Sequence, residues 1–192
     1  MVQIFAEEDL VKHIESGQKH YSHLISIGNP RRFFGGANPC QTMPLLFRRS
    51  FKEILRLEFF DVEIREHLGP MRPKRVAMLK DVRRAIHFYR RTRNHASGFT
   101  FHCWSGISRS PALALGYLYL ISGSESEAGK LLRELRPQAM PLRILVRYFD
   151  EILGCNLSIV NDEIRTERIA EMKRELMADV VELIEELPLA EE

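Results

Sequence analysis

Leu55, Leu57 and Phe59 alternate with Arg56 and Glu58, a period of two that predicts a strand over 55–60. Another apolar run, 23–27, stops at the turn-forming triplet Gly28-Asn29-Pro30 and is read as a second strand. A third run, 99–102, is followed closely by 110–121, which is apolar on every side and predicts a buried central helix. Elsewhere the spacing changes to threes and fours. Val76, Leu79, Val82, Ile86 and Tyr89 mark one face of a helix over 74–91, and a short opening helix is expected over 8–15. Ser124-Glu125-Ser126-Glu127 offers a capping box for a helix reaching about 135, and Pro141 opens another that Gly154 stops. Ile164, Ile169, Met172, Leu176, Val180 and Leu183 predict an amphipathic helix over 162–187. Residues 28–50, rich in Gly, Pro, Asn and Arg, read as an irregular surface segment.

Strands that alternate with helices, followed by a run of helices, predict an α/β fold. The expectation is one compact domain over 1–159, with a central, mostly parallel sheet flanked by helices, and an acidic amphipathic C-terminal helix over 160–192. That helix would pack on its own domain, make a dimer contact or mask the rest of the chain; the oligomeric state is left open.

Charge divides along the same boundary. Residues 1–161 hold 24 basic and 15 acidic side chains (+9), whereas 162–192 hold 4 and 11 (−7). A basic body would attract anionic substrates. The cluster Arg83, Arg84, Arg90, Arg91 and Arg93 lies along and beyond the end of a predicted helix, where cations complement the dipole and stay solvated. Without a nucleic-acid motif, no nucleic-acid partner is expected. No apolar stretch approaches the roughly 18 residues that would cross a bilayer, so no membrane partner is expected either. Glu7, Glu8 and Asp9 do not suit a signal peptide, and Cys40, Cys103 and Cys155 suit a reducing compartment; a cytoplasmic location is expected. The cysteines stand at no metal-ligand spacing, and neither a metal nor a cofactor is anticipated.

The chemistry concentrates in ten residues, His102-Cys103-Trp104-Ser105-Gly106-Ile107-Ser108-Arg109-Ser110-Pro111, between a strand and the buried helix. Amides of residues 104–109 can turn around one anion, at the positive end of the helix that follows. The same field favours a thiolate at Cys103, the nucleophilic form of sulfur. Arg109 can grip two phosphate oxygens at once, a geometry lysine lacks.

This run resembles the His-Cys-x5-Arg-Ser/Thr signature of the protein tyrosine phosphatase superfamily, and residues 23–154 are similar to small bacterial dual-specificity-like members. The resemblance implies a cysteine-phosphatase fold and a phosphocysteine mechanism. Cys103 would attack phosphorus, Arg109 would bind the equatorial oxygens, Ser110 would stabilise the departing thiolate and His102 would orient the loop. Trp104, Ser105, Gly106, Ile107 and Ser108 would line the phosphate site. Other Cys-x5-Arg classes fit less well, and no Walker loop supports nucleotide hydrolysis.

Expelling the leaving oxygen requires a proton donor. Asp61 is chosen because it follows the strand 55–60 and precedes Cys103 by 42 positions, with Glu63 and Glu66 as alternatives and no Trp-Pro-Asp triplet present. Asp81 is set aside on the expectation that its helix points it toward solvent. Gln138 is weighed as a residue that positions water and as a solvent-exposed turn residue. The loop interior lacks the lysines typical of phosphoinositide phosphatases, which favours a phosphorylated protein, above all phosphotyrosine, with phosphoserine or phosphothreonine as further substrates. The alternatives are a catalytically weak phosphate-binding interaction module and a phosphatase for a small metabolite or an RNA end.

Overall fold

Four parallel strands, β1 (Val2–Ala6), β2 (His23–Gly28), β3 (Glu53–Glu58) and β4 (Phe99–Cys103), pair in the order β1-β4-β2-β3. The structure is a computed structural model that describes residues 1–30, 45–63 and 75–185, with side chains described to residue 180. Cys40 and Glu66 lie outside those residues. A parallel sheet is covered on both faces, so its inner strands read as continuous apolar runs rather than as alternation. β2 and β4 are accordingly buried at every position.

Neighbouring residues of a strand face opposite sides of the sheet, and β2 divides the interior accordingly. Leu24 packs with Leu10, Phe47 and Phe51 beneath α1 (Glu7–Glu15) and α2 (Leu45–Ser50). Ile25 and Ile27 face the larger core, with Leu57, Val82, Phe101, Leu113 and Phe149. That core lies under α3 (Leu79–Thr92), α4 (Arg109–Ser122), α5 (Glu125–Leu135) and α6 (Arg143–Leu153). α4 is its centre, with its first ten residues buried. Because the strands are parallel, their carboxyl ends share one edge of the sheet, the usual position of a ligand site in such folds.

Three features depart from the sequence reading. β1 has no counterpart in it: the two buried residues of this strand, Val2 and Ile4, are too few for a local signal, and its partner Phe99–Cys103 is remote in sequence. α2 is a helix within the segment read as irregular; Phe47, which it buries, reveals its role only in tertiary contact. α3 begins at Leu79 rather than near 74. Val76 instead pairs with Phe60 in an isolated parallel bridge, which holds that stretch extended. The carboxylate of Asp81 accepts from the Met78 N–H at 3.1 Å and from Arg75 Nη2 at 2.7 Å. Asp81 is therefore buried as the cap of α3, not turned to solvent as its helical setting suggests.

α7 (Leu157–Glu185) is one continuous helix. Leu157, Val160 and Ile164 belong to the core, and Arg165 Nη1 donates to the carbonyls of Met140 and Pro141 at 3.3 and 3.1 Å. Farther along, Ile169, Met172, Leu176, Met177 and Val180 are exposed. None of the helices among the described residues is long and apolar enough to cross a membrane.

Candidate active site

Cys103 ends β4 at the carboxyl edge of the sheet, with its side chain fully buried. Ser110, in the first turn of α4, donates its hydroxyl to Cys103 Sγ at 3.1 Å. Between them the chain turns through 104–108, and each carbonyl of that turn is occupied from outside. Trp104 O accepts from Glu7 N–H at 3.2 Å, and Ile107 O accepts from Met140 N–H at 2.8 Å. Ser108 O accepts from the N–H groups of Ala112 and Leu142 at 3.1 and 3.2 Å. Arg136 serves the remaining two, donating from Nη2 to Ser105 O at 3.3 Å and from Nε to Gly106 O at 3.2 Å.

With the carbonyls engaged outward, the N–H groups of 104–108 have no partner among the described residues. A cluster of unpaired amides at the N-terminus of a helix is a nest for an anion. The first turn of α4 carries no acidic residue to weaken that field. The turn requires glycine at 106. Its φ is +69°, and a Cβ there would lie 2.7 Å from Ala6 N and 2.8 Å from the carbonyl carbon of Phe5.

Arg109 is 3% exposed. Its Nη1 donates to Asn29 Oδ1 at 2.9 Å and to the Phe59 carbonyl at 3.0 Å, which fixes the plane of the guanidinium. Nε has no hydrogen bond, and Nη2 makes none among the described residues. The edge formed by these two atoms is the one that grips paired oxygens of a phosphate. Asp61 stands beside it: Oδ2 is 3.7 Å from Arg109 Nε, and Oδ1 accepts from Ser108 Oγ at 2.7 Å. Glu63 faces elsewhere, accepting from Arg143 N–H at 3.3 Å and lying 3.7 Å from Arg165 Nη1.

His102 is completely buried, with Nε2 2.8 Å from Ser26 Oγ and its ring edge-on to Phe47 at 5.0 Å. Arg56 Nη1 donates to the same Ser26 oxygen at 2.6 Å. Burial, reinforced by the Arg56 and Arg109 charges, pushes the imidazole down to about 3, so the ring is neutral at neutral pH. An unfolded histidine titrates near 6.5. Between that value and about 3 the unfolded chain binds a proton that the folded one excludes. Stability should therefore fall as pH drops through this window, by up to about 1.4 kcal/mol per pH unit. Urea unfolding of the parent and of His102→Asn between pH 4 and 7 checks this; the variant should show the shallower slope.

Of the residues predicted from sequence, Cys103, Trp104 to Arg109, Ser110 and Asp61 come together at this edge, with His102 behind them. Asn29, Ser26, Arg56 and Arg136 join them without any sequence signal of their own. The first three lie on distant segments and carry no motif; Arg136 belongs, with Gln138, to the turn before α6. With its amide turned so that the oxygen accepts, Gln138 lies 3.0–3.2 Å from the nitrogens of the Arg136 guanidinium, the group that backs the loop. Glu7 also enters the field of Arg56 and Arg109, but burial dominates and raises its carboxyl above the usual range. Cys155 has no part here. Burial pushes its thiol up to about 11, and its S–H donates to Asp150 Oδ1 at 3.4 Å.

No protein-family model matches this sequence, and no curated protein matches it. Solved structures do. DUSP15 superposes with a TM-score of 0.55 and 17% identity, covering 86% of this chain and 90% of its own. PTPMT1 gives 0.54 and 16%, covering 89% and 95%. The human tyrosine phosphatase-like serine/threonine/tyrosine-interacting protein gives 0.53 and 18%, covering 78% and 85%. The chain has the dual-specificity-like protein tyrosine phosphatase fold. Within that fold, β4, the turn 104–108 and α4 carry the ten-residue run 102–111 singled out in the sequence, while Asp61 follows β3.

Proposed function

We propose that this chain is a phosphomonoester phosphatase that works through a phosphocysteine at Cys103, with phosphotyrosine in proteins as its main substrate. The observation that carries the reading is the turn 104–108, whose carbonyls are all held outward around a buried sulfur and the open edge of Arg109. A phosphate dianion placed there would meet amide hydrogens, the helix N-terminus and a guanidinium together.

In the first step Cys103 sulfur attacks phosphorus. The bond from phosphorus to the ester oxygen breaks, and that oxygen takes a proton from the carboxylic acid of Asp61. In the second step the Asp61 carboxylate accepts a proton from water as the water oxygen attacks phosphorus. The sulfur–phosphorus bond breaks, and the Ser110 hydroxyl stabilises the sulfur anion that leaves. Arg109 holds the equatorial oxygens throughout, while His102, Ser26 and Arg56 support the loop from behind.

PTPMT1 has been solved in complex with PI(5)P, so the fold accepts an anionic lipid headgroup in that protein. Here the turn contributes Trp104, Ser105, Gly106, Ile107 and Ser108, with no lysine to meet additional phosphates, and this favours a peptide. Trp104, next to Cys103 in the chain and 53% exposed, lines a groove with Ala6, Glu7 and Val11 and supplies an apolar surface for an aryl ring.

Rapid quenching of a single turnover with a phosphotyrosyl peptide, followed by mass analysis, tests the reading. The peptide containing Cys103 should carry one phosphoryl group transiently. Tight binding with neither adduct nor phosphate release would replace the enzyme with an interaction module. Faster turnover of a phosphoinositide, a nucleotide or an RNA end would move the substrate.

A further inference from the structure

We propose that His23, Glu53 and His95 form a divalent-cation site, suited to zinc, at the amino end of the sheet. His23 and Glu53 are the first residues of β2 and β3 and stand opposite one another in register. His95 lies just beyond α3, where its N–H donates to Thr92 O at 3.0 Å. β4 separates this cluster from the phosphate loop: Phe99 pairs with His23 at one end, and Cys103 lies roughly 13 Å along the strand at the other.

Glu53 Oε1 is 3.3 Å from His95 Nε2 and 3.8 Å from His23 Nε2, and the three donor atoms lie within 4.8 Å of one another. Around a tetrahedral zinc with bonds of about 2.0–2.1 Å, neighbouring ligand atoms stand roughly 3.3 Å apart. The triangle is thus close to a metal's size, and His95, on an exposed turn, can supply the remaining adjustment.

The second indication is His23 itself. It is fully buried, yet its Nε2 has no hydrogen-bond partner. Its Nδ1 is 2.8 Å from Ser22 Oγ. When Nδ1–H donates to that hydroxyl, the lone pair of Nε2 points at Glu53, the way ligating histidines are oriented. The Glu53 carboxylate is oriented in turn, since Arg91 Nη2 donates to Oε2 at 2.5 Å and leaves Oε1 toward the rings. Two imidazoles and one carboxylate are a zinc-type donor set with a fourth position for water, whereas magnesium and calcium prefer oxygen throughout. Occupied, the site would tie the starts of β2 and β3 to the turn that leads into β4.

The test uses the full chain without a histidine tag and with Cys103→Ser, so that the reactive sulfur takes no metal. After treatment with a chelator, zinc is added while bound metal and Tm are measured. One zinc per chain is expected, with a rise in Tm of about 5–10 °C when free zinc is 100-fold above Kd. Glu53→Gln and His95→Ala should each weaken binding by about 100-fold or more and remove most of that rise. Should Glu53→Gln fail to fold, His95→Ala still decides, because the residue is exposed. Fewer than one zinc per chain, or a full Tm rise in His95→Ala, overturns the site and leaves Glu53, Arg91 and His95 as an ordinary ion-pair cluster.

Discussion

Cys103→Ser is expected to hold a phosphotyrosyl peptide as tightly as the parent chain while releasing phosphate about 10⁴–10⁶-fold more slowly, the scale of loss when a covalent nucleophile is removed. Binding should persist because the parts that hold the dianion are elsewhere. The loop carbonyls remain tied to Glu7, Arg136, Met140, Ala112 and Leu142, and Arg109 remains fixed by Asn29 and Phe59. A serine hydroxyl fits the volume of the sulfur but is not the anion the reaction needs. Ser110, which donates to Sγ, can donate to the new oxygen, so the fold should tolerate the change. Peptide binding by calorimetry together with phosphate release measures both halves. Turnover within tenfold of the parent would reject Cys103 as the nucleophile, and loss of binding would mean that the nest does not hold the phosphate.

How much of the molecule is legible in its sequence follows from the range of each interaction. The nucleophile loop is local: ten consecutive residues carry the sulfur, the turn glycine, the arginine and the hydroxyl, so its chemistry is readable from the chain alone. The parallel sheet is legible in β2 and β4, whose burial on both faces leaves mostly apolar runs, interrupted by Ser26, Thr100 and His102. β1 and α2 are not, because each is recognised only through a partner far away, Phe99–Cys103 for one and Leu10 with Leu24 for the other. The support of the site is hidden for the same reason. Arg136 reaches back about 30 residues to the loop, and Asn29 reaches 80 residues forward to Arg109. Asp81 shows the converse error. A helical charge reads as solvent-facing because sequence periodicity does not show that Arg75 and the Met78 amide close over it. The His23, Glu53 and His95 cluster has no spacing signature, since parallel pairing joins His23 to Glu53 across 30 positions and the turn after α3 brings in His95, 42 positions beyond Glu53.

Asp61→Asn should slow cleavage of a phosphotyrosyl peptide by about 10²–10⁴-fold, the usual worth of a positioned acid, and slow cleavage of a nitrophenyl phosphate far less in the first step. The contrast comes from the leaving oxygen. A tyrosine phenolate, with a pKa near 10, departs reluctantly without a proton, whereas a nitrophenolate does not need one. Asparagine keeps an oxygen that can accept from Ser108 Oγ, so the rim of the loop should stay in place. It loses the negative charge beside Arg109 Nε, which should leave phosphate binding undiminished. Because Asp61 also serves as base in the second step, steady-state rates with the nitrophenyl ester would fall as well. The decisive reading is therefore pre-steady-state: the variant should give a rapid burst of nitrophenolate equal to about one per active site, followed by slow turnover as the phosphocysteine waits for water. Glu63→Gln should leave both phases within about threefold, since Glu63 is held by Arg143 and Arg165. A burst slowed equally with both esters would remove Asp61 from the first step, and the same defect in Glu63→Gln would transfer the role there.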